Sequence, residues 1–191
     1  SLSIYYYGFN IRKKPFNDVR VRQAVSMAIN RKEITDLLGA GQQPLTGWIP
    51  TGMFGYNGDV GLKFDAAQAA KLMDEAGYKD RAKFPKVSLA FNTNENHQRV
   101  AENVQAQLKR NLGIDVEVTN EEWKVYLSHL HSDPTPIYRM GWLADYPDPD
   151  NFMNLMTSYS ENNYSGWKNK KYDDLIEEGA RVFRFLGQNS L

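Results

Sequence analysis

Trp142 and Asp145 stand three residues apart in Gly141-Trp142-Leu143-Ala144-Asp145-Tyr146-Pro147-Asp148-Pro149, directly after a short apolar run that begins at Ile137. An indole beside a carboxylate is the pair of groups that receives an organic cation. The acid forms a charge-assisted hydrogen bond with an ammonium group, and the ring offers it a negative face. Pro147 and Pro149 remove two backbone donors, fix φ and bias the residues before them to extended conformations. The acid therefore leaves the end of a strand on a stiff backbone, the place where α/β folds commonly hold ligands. The same residues also read as an acidic, proline-capped surface turn, with Trp142 as a core residue and Asp145 as a local acceptor. Composition alone favours the turn.

Other chemistries fail on spacing or on missing residues. The 191 residues contain no cysteine, which excludes disulfides, thiolate metal sites and cysteine nucleophiles. His129 and His131 with Asp133 raise a metal, but residues two apart on a helix do not share a face. Asp145, Asp148, Asp150 and Asn151 raise calcium, yet they lack the alternating acids, central glycine and closing glutamate of a calcium loop. There is no phosphate-binding glycine loop, nucleophile elbow or dinucleotide fingerprint. A glycosidase-like pairing of Asp145 with Glu121 or Glu122 has only the presence of acids behind it. No cofactor is implied and no enzymatic centre is expected. Lys plus Arg equals Asp plus Glu at 23 each, and the basic residues are dispersed, so no field draws in nucleic acid.

The elements that must position the pair follow from periodicity. Ile4 to Asn10 reads as a strand. Asn17 or Asp18 caps a helix with Val21, Val25, Ala28 and Ile29 on one face, and Asn30 with Glu33 suggests a capping box for a second helix ending at Gly39. The glycine-rich stretch from Gly39 to Leu62 is a long loop, of the kind that covers a neighbouring element or serves function. Asp65 caps a helix with Ala69, Leu72, Met73 and Ala76 inward, stopped by Gly77. Val87, Leu89 and Phe91 alternate in a strand, then Val100, Val104, Leu108 and Leu112 repeat every fourth residue until Gly113. Ile114, Val116 and Val118 alternate again, giving strand, helix, strand and an expected parallel crossover. Glu121 to Leu130 is a helix with Trp123, Tyr126, Leu127 and Leu130 on one side, leading into the strand Ile137 to Trp142. A further helical stretch runs through Leu155 and Met156, followed by a polar loop, Asn162 to Trp167.

The stretch from Gly141 to Pro149 resembles the G-W-x-A-D-Y-x-x-P signature of the family 5 extracellular solute-binding proteins, the dipeptide- and oligopeptide-binding components of ABC importers. Further similarity lies in Val19 to Arg31, Pro50-Thr51-Gly52 with Gly55-Tyr56, Phe91 to Glu95, Ala101 to Gln105, Leu112 to Val116, and Tyr172-Asp173-Asp174-Leu175-Ile176. It runs from about Tyr5 to Ile176. The resemblance implies that Asp145 holds the α-ammonium of a bound peptide with Trp142 beside it, and that Arg139, three residues before the Trp, meets the peptide carboxylate. Tyr146 and Asn163 complete the candidate ligand-binding set. For Asn163 and Tyr164 the competing reading is a plain helix-entry loop.

The implied fold is α/β: one lobe of periplasmic-binding-protein type II, a mixed central sheet flanked by helices. Residues 1–191 are then a single C-terminal lobe, without the N-terminal lobe or a signal peptide, and with an atypical tail at about 181–191. Implied partners are short peptides, the permease subunits of an ABC transporter and the absent lobe, with self-association through the uncovered face. The location implied by the family is periplasmic or extracellular-facing. The rival reading is an autonomous interaction or regulatory module derived from such a lobe.

Overall fold

The structure is a computed structural model that describes residues 2–188, with side chains described through residue 182. Four strands form one sheet in the order β1-β4-β2-β3, where β1 is Ser3–Phe9, β2 is Val87–Asn92, β3 is Val116–Glu121 and β4 is Ile137–Leu143. β2 pairs in parallel with both β3 and β4, and β1 runs antiparallel to β4, so the sheet is mixed. The parallel crossover from β2 to β3 passes through helix α4, Glu95–Leu112.

The local signals explain most of the boundaries. α1, Val19–Met27, starts where the Asp18 carboxylate accepts from Arg20 N. α2, Arg31–Leu38, starts where the Asn30 side chain accepts from Lys32 N and stops at Gly39, whose φ of 63° favours a residue without a Cβ. Glu33 does not return to the Asn30 backbone to close a capping box. Its carboxylate accepts from Arg110 Nη2 at 2.8 Å and Asn103 Nδ2 at 3.1 Å, a tie between α2 and α4 that outcompetes the local bond. α3, Ala66–Met73, is capped by Asp65 and runs on into a wider turn, Asp74–Tyr78, which Gly77 breaks with a φ of 96°. α5, Trp123–Ser132, buries Tyr126 and Leu130, while Trp123, in its first turn, stays 42% exposed.

The pleat sends alternate residues of each strand to opposite faces, and three apolar clusters result. On one face, Leu89, Phe91, Val116 and Ile137 pack against Val21, Val25, Met73, Val104 and Leu108 from α1, α3 and α4. On the other, Tyr138 and Met140 pack with Ala90, Tyr126, Leu130 and Tyr164. The third cluster, Ile4, Met53, Phe152 and Leu155, lies at the end of β4, and Trp142, Trp48, Ile49 and Leu45 lean on it. Met53, Trp48, Ile49 and Leu45 all come from the glycine-rich connection between α2 and α3. That connection therefore covers the end of β4, with the Trp48 ring edge-on to Tyr6 at 4.8 Å. Phe152 sits in α6, Asp150–Met153, and α7, Lys170–Gln188, follows the polar loop. Among the described residues no helix is long and apolar enough to cross a membrane. The tail at about 181–191 lies largely outside the described side chains.

Candidate functional site

The sheet opens at the carboxyl ends of its two central strands. β2 and β4 are in register only at Leu89–Ile137 and Ala90–Tyr138, and beyond these pairs they diverge. Tyr126 spans the opening: its hydroxyl bonds to Arg139 O at 2.5 Å and Ala90 O at 3.1 Å, one carbonyl from each strand. Such carbonyls would otherwise be buried without a donor.

Arg139 stands in this opening. Its Nη1 donates to Asn92 Oδ1 at 2.9 Å, and its guanidinium carbon lies 4.5 Å from the centre of the Tyr5 ring. Gly141 provides the space, since a Cβ there would come within 2.9 Å of Arg139 Nη2. Arg139 Nε is buried without a hydrogen-bond partner, as is the hydroxyl of Tyr7, the residue opposite it on β1. Among the described residues no carboxylate pairs with Arg139. His97, in the first turn of α4, closes this group through a 3.2 Å contact between Nδ1 and the Tyr5 hydroxyl.

Burial, and secondarily the Arg139 charge, hold the His97 imidazole down at about 4. We expect its ring resonances to titrate near pH 4 in an NMR pH series, and Arg139→Gln to move the midpoint part of the way towards 6.5. The linkage has a definite sign. The unfolded chain takes up a proton on His97 between about pH 6.5 and 4 while the folded chain does not, so this residue's contribution to stability is lost as pH falls through that window. A midpoint near 6.5 in the unsubstituted chain would remove both expectations.

Trp142 points the other way. Arg139 and Gly141 occupy one face of β4, and Trp142, one residue on, leans on the third cluster from the opposite face. The structure therefore does not bring Arg139 and Trp142 together on one wall. The indole Nε1 donates to Asn151 Oδ1 at 2.7 Å, and Asn151 is 9% exposed. Asp145 follows in the loop after β4. Its residue is exposed, and its carboxylate has no hydrogen-bond or ion-pair partner among the described residues. The backbone around it is fixed on both sides: Ala144 N donates to Leu2 O, and Asp148 O accepts from Asn151 N. Tyr146 is 51% exposed beside it.

Asn163 has its amide committed elsewhere. Nδ2 donates to Trp167 O and Thr157 O at 3.0 and 3.1 Å, while Oδ1 accepts from Ser165 N and Oγ. Its work is to hold the loop before α7. The histidines weighed for a metal are also spent: His129 meets Glu121 at 2.8 Å, and His131 lies edge-on to Tyr164. Among the described residues no group of three or more His, Cys, Asp or Glu could hold a metal ion.

Asn92, His97 and Tyr5 carry no site signal in the sequence, and Asn151 enters there only as a weighed calcium ligand. Tyr5 is 92 residues from His97, and no local pattern joins them. The run Tyr5-Tyr6-Tyr7 in β1 is the one available signal, an aromatic strand with hydroxyls that need partners.

Comparison with known proteins supplies the context. Residues 1–164 match the family described as bacterial extracellular solute-binding proteins, family 5 Middle. The oligopeptide-binding protein OppA of Bacillus subtilis is 36% identical over 184 residues, covering 92% of this chain and 34% of the relative. The periplasmic murein peptide-binding protein MppA of Escherichia coli is 36% identical over 186 residues, covering 94% of this chain and 34% of the relative. The solved structure of E. coli MppA superposes with a TM-score of 0.87 at 36% identity, over 93% of this chain and 36% of that one. Haemophilus influenzae OppA in complex with the peptide RPPGFSPFR superposes with a TM-score of 0.87 at 35% identity, over 93% and 36%. The chain thus spans about a third of the length of these relatives. Its mixed sheet and flanking helices are those of a lobe of the type II periplasmic binding proteins. The chain belongs to the family 5 bacterial extracellular solute-binding proteins.

Proposed function

We propose that these residues form the C-terminal lobe of a periplasmic peptide-capture protein serving an ABC importer. The lobe binds and releases peptide and catalyses no reaction. The observation that carries the reading is the Asp145 carboxylate: exposed, without a partner among the described residues, and carried on a proline-stiffened loop three residues after Trp142. A peptide's α-ammonium loses hydration when it is enclosed, and a fixed carboxylate offsets that loss through a charge-assisted hydrogen bond of about 1.5–3 kcal/mol net. The Trp142 ring adds roughly 0.5–2 kcal/mol, depending on how dry the site becomes.

Arg139 supplies the opposite pole. A half-buried guanidinium without a counter-charge is an expensive arrangement, and a peptide carboxylate is the ligand group that relieves it. It stands six residues before Asp145 and on the opposite face of β4 from Trp142, so in this reading it meets the peptide apart from the ammonium pocket. Main-chain pairing with strand edges then holds the ligand without reading its side chains. Asn163 takes no part in this reading, and Tyr146 forms the outer wall beside Asp145.

The second lobe encloses the peptide and completes the site, and closure of the two signals to the permease subunits. The test is calorimetric titration of the natural polypeptide that carries these residues, with a tripeptide and its Nα-acetyl derivative. Acetylation is expected to weaken binding by about 10-fold or more, since it removes the charged hydrogen bond. In the same titration the 191 residues alone are expected to give little or no heat. Equal affinity for the two peptides contradicts the reading of Asp145.

A further inference from the structure

The contact between Trp142 and Asn151 does more than fill space. An indole has one hydrogen-bond donor, and here Asn151 Oδ1 takes it at 2.7 Å. Asn151 is 9% exposed and held from a second side, because its backbone N–H donates to Asp148 O at 3.0 Å. One residue therefore joins the last residues of β4 to the first turn of α6, closing the base of the loop that carries Asp145. Asp145 forms no bond of its own within that loop, so its position depends on how firmly the base is closed.

We propose that Asn151 is a positioning residue that sets the specificity of the ammonium pocket, an inference that rests on the reading of Asp145 and Trp142 given above. It acts in two ways. By accepting from Nε1 it fixes the plane of the indole, so the ring meets the ligand with its π surface in a constant orientation. It also withholds the indole N–H from the ligand. The wall beside Asp145 then offers a cation acceptor surface and no donor, which favours an ammonium group and gives an acyl carbonyl nothing to bond to. A neutral amide suits both tasks, since it adds no second negative charge.

Two substitutions separate this role from simple support. Asn151→Leu keeps the branched shape and removes the acceptor; Asn151→Asp keeps the acceptor. Each is made in the natural polypeptide and titrated with a free-amine tripeptide and its Nα-acetyl derivative, and the Trp142 indole N–H resonance is recorded without ligand. In Asn151→Leu the preference for the free amine is expected to shrink roughly 3- to 30-fold, the span of a cation–π contact, with the acetyl peptide bound no more weakly than before. The indole resonance should shift upfield and exchange faster with water. Asn151→Asp should keep the protected resonance and hold or raise the preference, since it retains the acceptor and adds a negative charge. Equal weakening of the two peptides in Asn151→Leu would reduce Asn151 to a structural support, and an unchanged preference would remove it from the pocket altogether. Should the unsubstituted protein itself fail to distinguish the peptides, the ammonium reading falls and the specificity role with it. The ligand-free indole resonance still decides separately whether Asn151 fixes the ring.

Discussion

Asp145→Asn in the natural polypeptide is expected to lower the affinity for a free-amine peptide by about 10- to 100-fold while leaving the melting temperature nearly unchanged. The two halves of this expectation have one origin. Asp145 is exposed and bonded to nothing among the described residues, so exchanging its carboxylate for an amide of the same shape removes no folded-state contact. Surface substitutions of that kind stay within roughly 0.5 kcal/mol of neutral. A bound ammonium group, however, loses its charged acceptor. Calorimetry and a thermal melt on the same preparations check both parts. A stability loss as large as the binding loss would place Asp145 in the scaffold.

Phe152→Ala should behave in the opposite manner, costing about 3–5 kcal/mol of folding stability, as measured by urea unfolding. Phe152 is fully buried at the centre of the third cluster, with Ile4 of β1, Met53 of the covering connection and Leu155 around it, and Trp142 leans on the same group. The truncation leaves a cavity that strands and helix ends, tied by their own hydrogen bonds, cannot fill by collapse. Because this cluster supports both ends of the Asp145 loop, peptide affinity should fall as well, even at temperatures where the protein remains folded. A loss below about 1 kcal/mol would show that the cluster is a loose cover and not a core.

Much of this arrangement was legible from local patterns. The fourfold stripe Val100-Val104-Leu108-Leu112 became the buried face of α4, and Gly39 and Gly113 end their helices in the left-handed region, with φ of 63° and 67°. Asp18, Asn30 and Asp65 cap as their residue types suggest. The parallel crossover of β2 and β3 follows from the order of elements. By contrast, the antiparallel placement of β1 against β4 joins residues more than a hundred positions apart and has no local signature.

The candidate site was legible in its residue types and less so in its geometry. Arg139 and Trp142 are three apart on a strand, and an odd spacing puts side chains on opposite faces. The alternation of β4 by itself therefore places them apart. Asn163 carries the right functional group for a pocket edge, but the carbonyls of its own loop compete for the amide and win. His97, Asn92 and Tyr5 converge on Arg139 only because β2 and β4 splay beyond Ala90, a feature set by the packing of Tyr126 rather than by any short pattern.

A thermodynamic cycle probes the carboxylate–ammonium contact more directly than any single affinity. Tripeptide and Nα-acetyl tripeptide are titrated into the unsubstituted natural polypeptide and into its Asp145→Asn variant. If Asp145 receives the ammonium, acetylation weakens binding about 10-fold or more in the first protein and almost not at all in the second. An acetylation penalty of equal size in both proteins would mean that the peptide's amine is held by some other group.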